Sequence, residues 1–507
     1  MEDFMLTDED LQNLRVRGLT ESDVMDQLAK FRAGVKPLTL DRPCRVNDGI
    51  TALSNEEAEH LAKVYDKELP ALNPVKFVPA SGAASRMFSR WFQLLEGNVP
   101  PGSADSLFFL GNLSSYPFFE SLQKTLAAHG NSFEDIRRRE DAAAILRHIL
   151  GDEGLKYGLL PKALIPFHRY PEEQRTSIEE HLVEAALYAA SRGLARLHFT
   201  VSPEHHQAIR HHLDRVTGRY EERLGVTFDI TLSEQSPSTE ILAADLDNRP
   251  FRAESGELLF RPGGHGTLLR NLCNTDGDIV FIKNIDNVVP DSLKEETVRW
   301  KKILAGLLIT IRKEFLQHLD NLKSVATEEQ LDSVSQALKK RFPECLPDTF
   351  LSWPTERRRI FLTDRMDRPL RICGMVKNEG EPGGGPFWVQ EADGTLSLQI
   401  VESAQINPSS PQQTKIWESS SHFNPVDIVC ATRDSKGNPY DLMRYADQNS
   451  YLISRKSFEG RALKALELPG LWNGSMAQWN TLFVEVPLIT FNPVKTVEDL
   501  LRREHLG

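Results

Sequence analysis

The first residues that could do chemistry lie in Lys76–Phe88. A short apolar run, Phe77-Val78, feeds a turn of small residues, Ala80 to Ser85, and Arg86 follows just before the apolar pair Met87-Phe88. A strand that ends in small residues and opens a helix makes a cradle. Its backbone N–H groups can approach phosphate oxygens, and the helix N-terminus favours anions. Arg86, just inside such a helix, suits a fork-shaped pairing with phosphate. Small residues also occur wherever a strand packs tightly on a helix, so this stretch leaves both readings open.

Three further places carry suitable groups. Lys162 lies between Pro161 and Pro166 in an extended, irregular segment, Gly158–His168, where it is either a point charge for a polyphosphate or an exposed surface lysine. Arg261-Pro-Gly-Gly-His-Gly266 is a glycine-rich loop. Glycines let a backbone come close to a polar ligand and His265 adds a donor or acceptor, yet on spacing alone a plain turn is favoured. Asp286 falls at the end of the most strand-like run of the chain, Asp278–Asn287. In a mainly parallel sheet, ligands gather at the carboxyl ends of the strands. His205, His206, His211 and His212 share one helix, but none is paired with another at i,i+4, and solvated histidines are expected there rather than a metal site.

The elements that must position these groups can be read from pattern. Helix-start signatures at Leu6-Thr-Asp-Glu-Asp, Leu19-Thr-Glu-Ser-Asp and Ser54-Asn-Glu-Glu predict an N-terminal helical region over 1–70. Strands are expected at Arg196–Val201, Val226–Leu232 and Ser397–Ser403, with Asp393-Gly394 as a hairpin-type turn. Helices are expected over Phe133–Leu150, Pro171–Arg192 (its apolar face on Ile178, Leu182 and Ala185), from Ser202-Pro203 onward, Asp291–Leu322, from Thr327, and near Val497–Arg503. Asn98–Ser103 reads as a loop, and the Arg137–Arg139 run as a solvated face. Helices alternating with β-rich runs argue for an α/β fold with a mainly parallel sheet flanked by helices.

At 507 residues the chain suits two or three domains. A net charge of −12 argues against a nucleic-acid partner, which needs clustered Lys and Arg. Five scattered cysteines without a C-x-x-C pair fit a reducing compartment. An acidic N-terminus and no apolar run long enough to span a bilayer lead to the expectation of a cytoplasmic chain without a membrane partner.

Taken together, these segments resemble the UDP-sugar pyrophosphorylase superfamily, which includes UDP-glucose and UDP-N-acetylhexosamine pyrophosphorylases. The chain also looks like a bacterial family of unknown function with the same layout. Pro79–Arg86 is similar to the family's Leu-x-Gly-Gly-x-Gly-Thr-Arg signature, and Pro161-Lys-Ala-Leu to its Pro-Lys motif. Gln235 lies where a family glutamine follows a strand. Pro262-Gly-Gly-His-Gly resembles a Pro-Gly-His-Gly loop, and Asn284-Ile-Asp-Asn287 an Asn-x-Asp-Asn. Gly384 through Gln405 looks like the sugar-binding Glu-x-Ala-Gln stretch, and Phe491–Leu501 is similar to Phe-x-Pro-Val-Lys-Thr-x-x-Asp-Leu-Leu. Seven matches in the correct order cover residues 76–501. There are departures. Ser81 and Ala84 stand for signature glycines, the spacing from Arg86 to Lys162 is much longer, and Ser421, beside His422, stands for a sugar-contacting asparagine. No β-helix tail is expected after Lys495.

The resemblance implies a GT-A-like (Rossmann-type) catalytic domain over 71–415, with helical insertions at about 90–157 and 291–358 and a small α+β part over 416–507. It implies attack by a sugar-1-phosphate oxygen on the α-phosphorus of a nucleoside triphosphate, UTP above all. Asp286 would hold Mg²⁺, while Arg86, Lys162 and Lys495 would neutralise phosphates. Ala80, Ser81, Gly82, Gln235, Gly264, His265 and Gly266 would hold the nucleoside, and Glu402, Gly384 and Ser421 the sugar. Glu485 is either a second metal ligand or a solvated strand residue. Two alternatives stay open: a glycosyltransferase on the same fold, or a non-catalytic nucleotide-sugar-binding protein.

Overall fold

A computed structural model describes residues 6–98, 102–323, 326–381 and 383–506. The first five residues of the acidic N-terminus and the middle of the expected Asn98–Ser103 loop lie outside the described residues. The chain forms two compact units: one comprises residues 1–67, 235–280 and 303–486, the other 68–234, 281–302 and 487–507.

The second unit holds the expected parallel strands. Pro74–Pro79 pairs in parallel with Leu194–Val201, which pairs in parallel with Thr227–Glu234. Phe77, Val78, Leu197 and Phe199 are fully or almost fully buried, as strands covered on both faces require. Helix Ser177–Tyr188 packs on this sheet through Ile178, Leu182 and Ala185. It is shorter than the expected Pro171–Arg192, because residues at both ends pair as strands, Gln174–Thr176 and Ala190–Ser191. Helix Pro203–Leu224 follows with proline at its first turn, but the Ser202 side chain makes no capping bond.

The insertion after residue 88 is helical, with its own core around Trp91, which meets Phe109, Tyr116 and Phe118 edge-on. Burying side chains of this size stabilises by about 1.5–3 kcal/mol each. The single helix expected over Phe133–Leu150 is two, Phe133–Arg138 and Ala142–Leu150. Glu140 adopts a left-handed backbone (φ 54°), and Asp141 caps the second helix by accepting from the Ala144 N–H at 2.9 Å. Arg137, Arg138 and Arg139 are exposed, as expected.

In the first unit, helices Asp8–Arg17 and Glu21–Ala33 both start with capping boxes, at Thr7/Asp10 and Thr20/Asp23. Residues 1–70 are not purely helical, since Leu40–Pro43, Arg45–Val46 and Gly49–Thr51 are short strands. The prolines that stop the helical pattern leave extended chain, and Leu40–Pro43 pairs with Gly385–Gln390. Leu370–Lys377 pairs in parallel with Asn480–Glu485 and antiparallel with His422–Ala431. Gly394 (φ 83°) turns the hairpin between Gly385–Gln390 and Leu396–Val401. The long helix expected at Asp291–Leu322 runs Lys294–Asn321, and the next runs Glu328–Arg341. The final segment is a 3₁₀ turn, Val497–Leu501, followed by a one-turn helix, Arg503–Leu506. Among the described residues no helix is long and apolar enough to cross a membrane.

Candidate active site

Four backbone segments of the second unit converge around Asp286. The strand Pro74–Pro79 delivers the small-residue turn, whose Ala80 N–H donates to the Thr200 carbonyl at 2.8 Å. The turn is stitched to the Pro161-Lys162 segment: Ala84 N–H donates to the Leu160 carbonyl (3.1 Å) and Lys162 N–H to the Gly82 carbonyl (3.0 Å). This pairing keeps Ala83 extended, so the turn opens into a three-residue 3₁₀ turn, Ala84–Arg86, rather than directly into a helix. The cradle therefore lacks the helix N-terminus expected at this point.

The Asp286 loop lies alongside. Lys283 and Ile285 N–H groups donate to the carbonyls of Phe77 and Pro79, and the Asp286 carbonyl accepts from Val494 N–H at 3.0 Å. Asn287 Oδ1 accepts from Asn492 N–H at 2.9 Å. The Asn-Ile-Asp-Asn and Phe-Asn-Pro-Val-Lys stretches, some two hundred positions apart in sequence, are thus bonded backbone to backbone. Lys162 Nζ lies 3.0 Å and Lys495 Nζ 3.2 Å from the same carboxylate oxygen, Asp286 Oδ2, and Lys162 Nζ also donates to the Val494 carbonyl at 2.8 Å.

Burial alone would raise the Asp286 pKa, but the two ammonium groups outweigh it and hold the carboxyl below its ordinary value. The other oxygen, Oδ1, is buried with no hydrogen-bond partner among the described residues. Lys495 differs from Lys162 in being open to solvent, 60% exposed against 12%. Arg86 is exposed and has no partner among the described residues. Ser81 is half-buried and Gly82 exposed on the same turn. Arg86, Lys162, Asp286 and Lys495 all belong to this unit, with three of the four in direct contact.

Among the described residues no group of three or more His, Cys, Asp or Glu could hold a metal ion. A single carboxylate is nonetheless a sufficient donor for Mg²⁺, which keeps several waters and takes further oxygens from bound phosphates. The orphaned Oδ1 is the atom that fits this requirement.

Beneath the site lies a charged network that helix periodicity concealed. Glu184 is fully buried, its two oxygens each 2.7 Å from an ammonium, Lys76 and Lys283. Burial penalises that carboxylate, yet Lys283 and Lys76 hold it ionised, well below its usual pKa. Burial pushes Lys76 down to about 7. His181, on the same helix, lies with Nε2 3.2 Å from the Ile285 carbonyl, next to Asp286. Burial keeps that imidazole neutral, its pKa well below the ordinary value, so Nε2 donates the hydrogen bond. These residues touch no candidate ligand position; they position the Asp286 loop. The one sequence signal was four polar residues, Glu179, Glu180, His181 and Glu184, crowded onto a helix that also carries a full apolar face.

The remaining predicted residues lie in the first unit. Gln235 is half-buried directly after Thr227–Glu234, without a side-chain partner among the described residues. Gly264 is left-handed (φ 77°), and a Cβ at Gly266 would lie 2.1 Å from the Pro469 carbonyl oxygen. His265 Nδ1 accepts from Leu471 N–H at 3.2 Å, and its ring stacks, tilted, on Trp472 at 4.4 Å. Burial lowers its pKa to about 4. This loop packs against the protein's own chain, so Gly266 and His265 already have internal contacts that explain their types. Gly384 is buried, with a virtual Cβ 3.4 Å from Glu402 Cγ, so these two predicted sugar residues are brought together. Burial, then the neighbouring Glu467 charge, raises the Glu402 pKa. Asn473, which was not predicted, donates to the Ile400 carbonyl at 2.9 Å and leaves its buried Oδ1 unpartnered. Ser421 Oγ meets His422 Nδ1 at 2.9 Å, and His422 Nε2 meets Glu485 Oε1 at 3.3 Å, so Glu485 is tied to an imidazole rather than simply solvated.

Of the four helix histidines, His206 pairs with Glu234 at 2.6 Å and His212 approaches Glu179 at 3.6 Å, so two of the expected solvated residues have acidic partners.

This mixed α/β fold, with parallel strands flanked by helices, is shared with a solved UDP-sugar pyrophosphorylase. The chain is similar to the uridine diphosphate N-acetylglucosamine pyrophosphorylase from Trypanosoma brucei, with a TM-score of 0.50 and 10% identity over 98% of this chain and 79% of the other. It is also similar to a UDP-glucose pyrophosphorylase mutant from Leishmania major, with a TM-score of 0.45 and 12% identity over 98% of this chain and 79% of that one. A family model described as "Domain of unknown function (DUF4301)" matches residues 7–506, and the chain belongs to that family. No curated protein matches the sequence.

Proposed function

We propose that the protein is a nucleotidyltransferase that joins a nucleoside triphosphate, UTP first among candidates, to a sugar-1-phosphate and releases pyrophosphate. The observation that carries this reading is the convergence of Lys162 and Lys495 on one buried oxygen of Asp286, with the exposed, unpartnered Arg86 on the adjoining turn. Phosphoryl chemistry asks for positioning and charge neutralisation more than for covalent work by the protein. A sugar-phosphate oxygen forms a bond to the α-phosphorus as the bond from that phosphorus to the bridging oxygen of the β-phosphate breaks. The electron pair leaves with pyrophosphate.

Each residue has a part in that step. Lys162, held by the Val494 carbonyl and Asp286, is oriented to neutralise the α-phosphate. Lys495, on the solvent side, neutralises the incoming sugar phosphate. Arg86 pairs with the β- and γ-phosphates and with departing pyrophosphate. Ser81 and Gly82 offer backbone N–H groups to the nucleotide. Asp286 Oδ1 would hold Mg²⁺, which when bound supplies charge stabilisation at phosphate oxygens.

The test is pyrophosphate release with Mg²⁺ from the four common nucleoside triphosphates against a panel of sugar-1-phosphates. Release that requires one triphosphate and one sugar phosphate, and is lost in both Asp286→Ala and Arg86→Ala, is expected. A nucleotide-sugar-consuming activity that survives Arg86→Ala would point to a glycosyltransferase instead. Tight nucleotide binding without any release would leave a binding protein.

A further inference from the structure

A cavity of about 600 Å³ is lined in part by the segment that carries Lys162. Leu160 and Leu164, which bracket Lys162 in sequence, form part of its apolar wall. Four basic side chains of helix Pro203–Leu224 also line it: His211, His212, Arg215 and Arg219. In a protein of net charge −12, a concave surface with this lining is not explained by average composition.

Among the described residues that line the cavity the one carboxylate, Glu179, is already satisfied. It accepts from the Thr176 N–H and hydroxyl at 2.8 Å each, and pairs with Arg219 at 3.0 Å. His212 adds a longer contact at 3.6 Å. Burial opposes its charge, but His212 and the Thr176 hydrogen bonds hold the carboxyl below its ordinary pKa. Arg215, by contrast, has no acidic partner among the described residues. Its one hydrogen bond goes to His212 Nδ1 at 3.1 Å, and since a guanidinium can only donate, that imidazole nitrogen is an acceptor and its proton sits on Nε2, toward Glu179. His211 is exposed with no partner among the described residues. Arg215 and His211 therefore leave donors unsatisfied at the mouth of a cavity with an apolar wall.

We propose that this cavity is a second, regulatory binding site for a small phosphorylated molecule, its phosphate held by Arg215, Arg219 and His211 and its body against Leu160 and Leu164, and that occupancy is transmitted to Lys162. The route is short and made of backbone. Leu160's carbonyl holds Ala84, Lys162's N–H holds Gly82, and Lys162's own carbonyl accepts from Ser177 Oγ at 3.2 Å, one residue from the cavity-lining Thr176. A ligand pressing on Leu160 and Leu164 biases the position of the lysine and of the small-residue turn together. The binding half of this proposal stands on its own; the consequence for catalysis rests on the transferase reading.

The experiment is calorimetric titration of the full chain with inorganic pyrophosphate, which carries the phosphate chemistry of both sites. Wild type is expected to bind two equivalents, and Arg86→Ala/Lys495→Ala one. Adding Arg215→Ala and His211→Ala to that background should weaken the remaining equivalent roughly tenfold or more, because each removed donor served a charged acceptor. Both changes are at exposed positions, and circular dichroism checks the fold. In the Arg86→Ala/Lys495→Ala background, pyrophosphate should also slow hydrogen exchange at residues 160–164. The site is overturned if that background binds nothing, or binds with an affinity that Arg215→Ala/His211→Ala leaves unchanged. Transmission is overturned if binding persists with no change in exchange at 160–164. If the cavity equivalent survives while no sugar phosphate ever releases pyrophosphate, the regulatory site stands and the transferase reading alone fails.

Discussion

Asp286 and Glu402 are both carboxylates withdrawn from water, and they are displaced in opposite directions. Around Asp286 two ammonium groups share one oxygen, and the carboxyl is held below its ordinary pKa although burial pulls the other way. Around Glu402 burial dominates, no cation among the described residues compensates for it, Glu467 adds a like charge, and the pKa rises. The first environment is built for charge that stays: a cationic surround with a fixed anion at its centre suits polyphosphate and a metal. The second suits a neutral ligand rich in hydroxyls, because a carboxyl without a cation beside it keeps acceptor oxygens available for hydrogen bonds. Burial alone decides neither case; the partner's sign does.

The largest expected effect comes from removing the anion at the centre of the cationic group. Asp286→Asn leaves Lys162 and Lys495 without their shared charge, and pyrophosphate release should fall by about 10³-fold, the scale seen when one preorganised electrostatic group is lost. A stopped or coupled assay with circular dichroism on the variant checks it. A fall smaller than tenfold would erase the contrast between the two carboxylates.

The next effect is on stability and belongs to the unit that holds Glu402. His265 is buried with its pKa lowered to about 4 from 6.5, so the unfolded chain binds the extra proton first. Stability from this group is present above about pH 6.5 and lost as pH falls toward 4, by up to about 3 kcal/mol. Thermal melts of wild type and His265→Gln over that window measure it; the variant should show a shallower slope.

Glu402→Gln keeps the shape of the protonated acid and gives up one acceptor. Its expected signature is binding of a free sugar weakened by up to about tenfold in calorimetric titration, since a buried hydrogen bond to a neutral hydroxyl contributes about 0.5–1.5 kcal/mol. The smallest effect is the one most specific to the comparison. Glu402 has a raised folded-state pKa, so its contribution to stability is present at low pH and lost as pH rises; Asp286, lowered, behaves in the opposite sense. At pH 7 Glu402→Gln should therefore leave the protein as stable or slightly more so, by about 1 kcal/mol or less, whereas Asp286→Asn should destabilise it. Paired urea melts of the two variants decide the sign.

Sequence pattern carried the strands and most helices because their signals are local. Leu194–Val201 and Thr227–Glu234 follow the β-rich runs almost residue for residue, and Thr7 and Thr20 cap where their motifs begin. The break in Phe133–Leu150 had a local sign too, Asp141 three residues before Ala144, hidden by the stronger apolar periodicity on either side. The meeting of Lys162, Asp286 and Lys495 had no local sign. It was legible only through the order of motifs, because the partners lie 124 and 209 positions apart. The Glu184 network left only one trace in the sequence, the crowding of polar residues on its helix. Its lysines are 108 and 99 positions away, and without them an acidic residue on a helix reads as a solvated one. The glycine-rich loop at Gly264–Gly266 shows the converse: its glycines are required by close approach of Glu467 and Pro469, which fits the plain-turn reading that its spacing favoured.

The central claim, that the cationic group around Asp286 serves transfer of a nucleotidyl group, is met most directly by following phosphorus itself. A mixture of UTP, Mg²⁺ and a sugar-1-phosphate, observed by ³¹P NMR with wild type and with Lys162→Ala, separates every phosphorus-containing product. Expected with wild type is one nucleotide-sugar diphosphate formed for each pyrophosphate released, and at most a small fraction of that rate with Lys162→Ala. Release of inorganic phosphate without a nucleotide sugar, or equal turnover by both proteins, would contradict it.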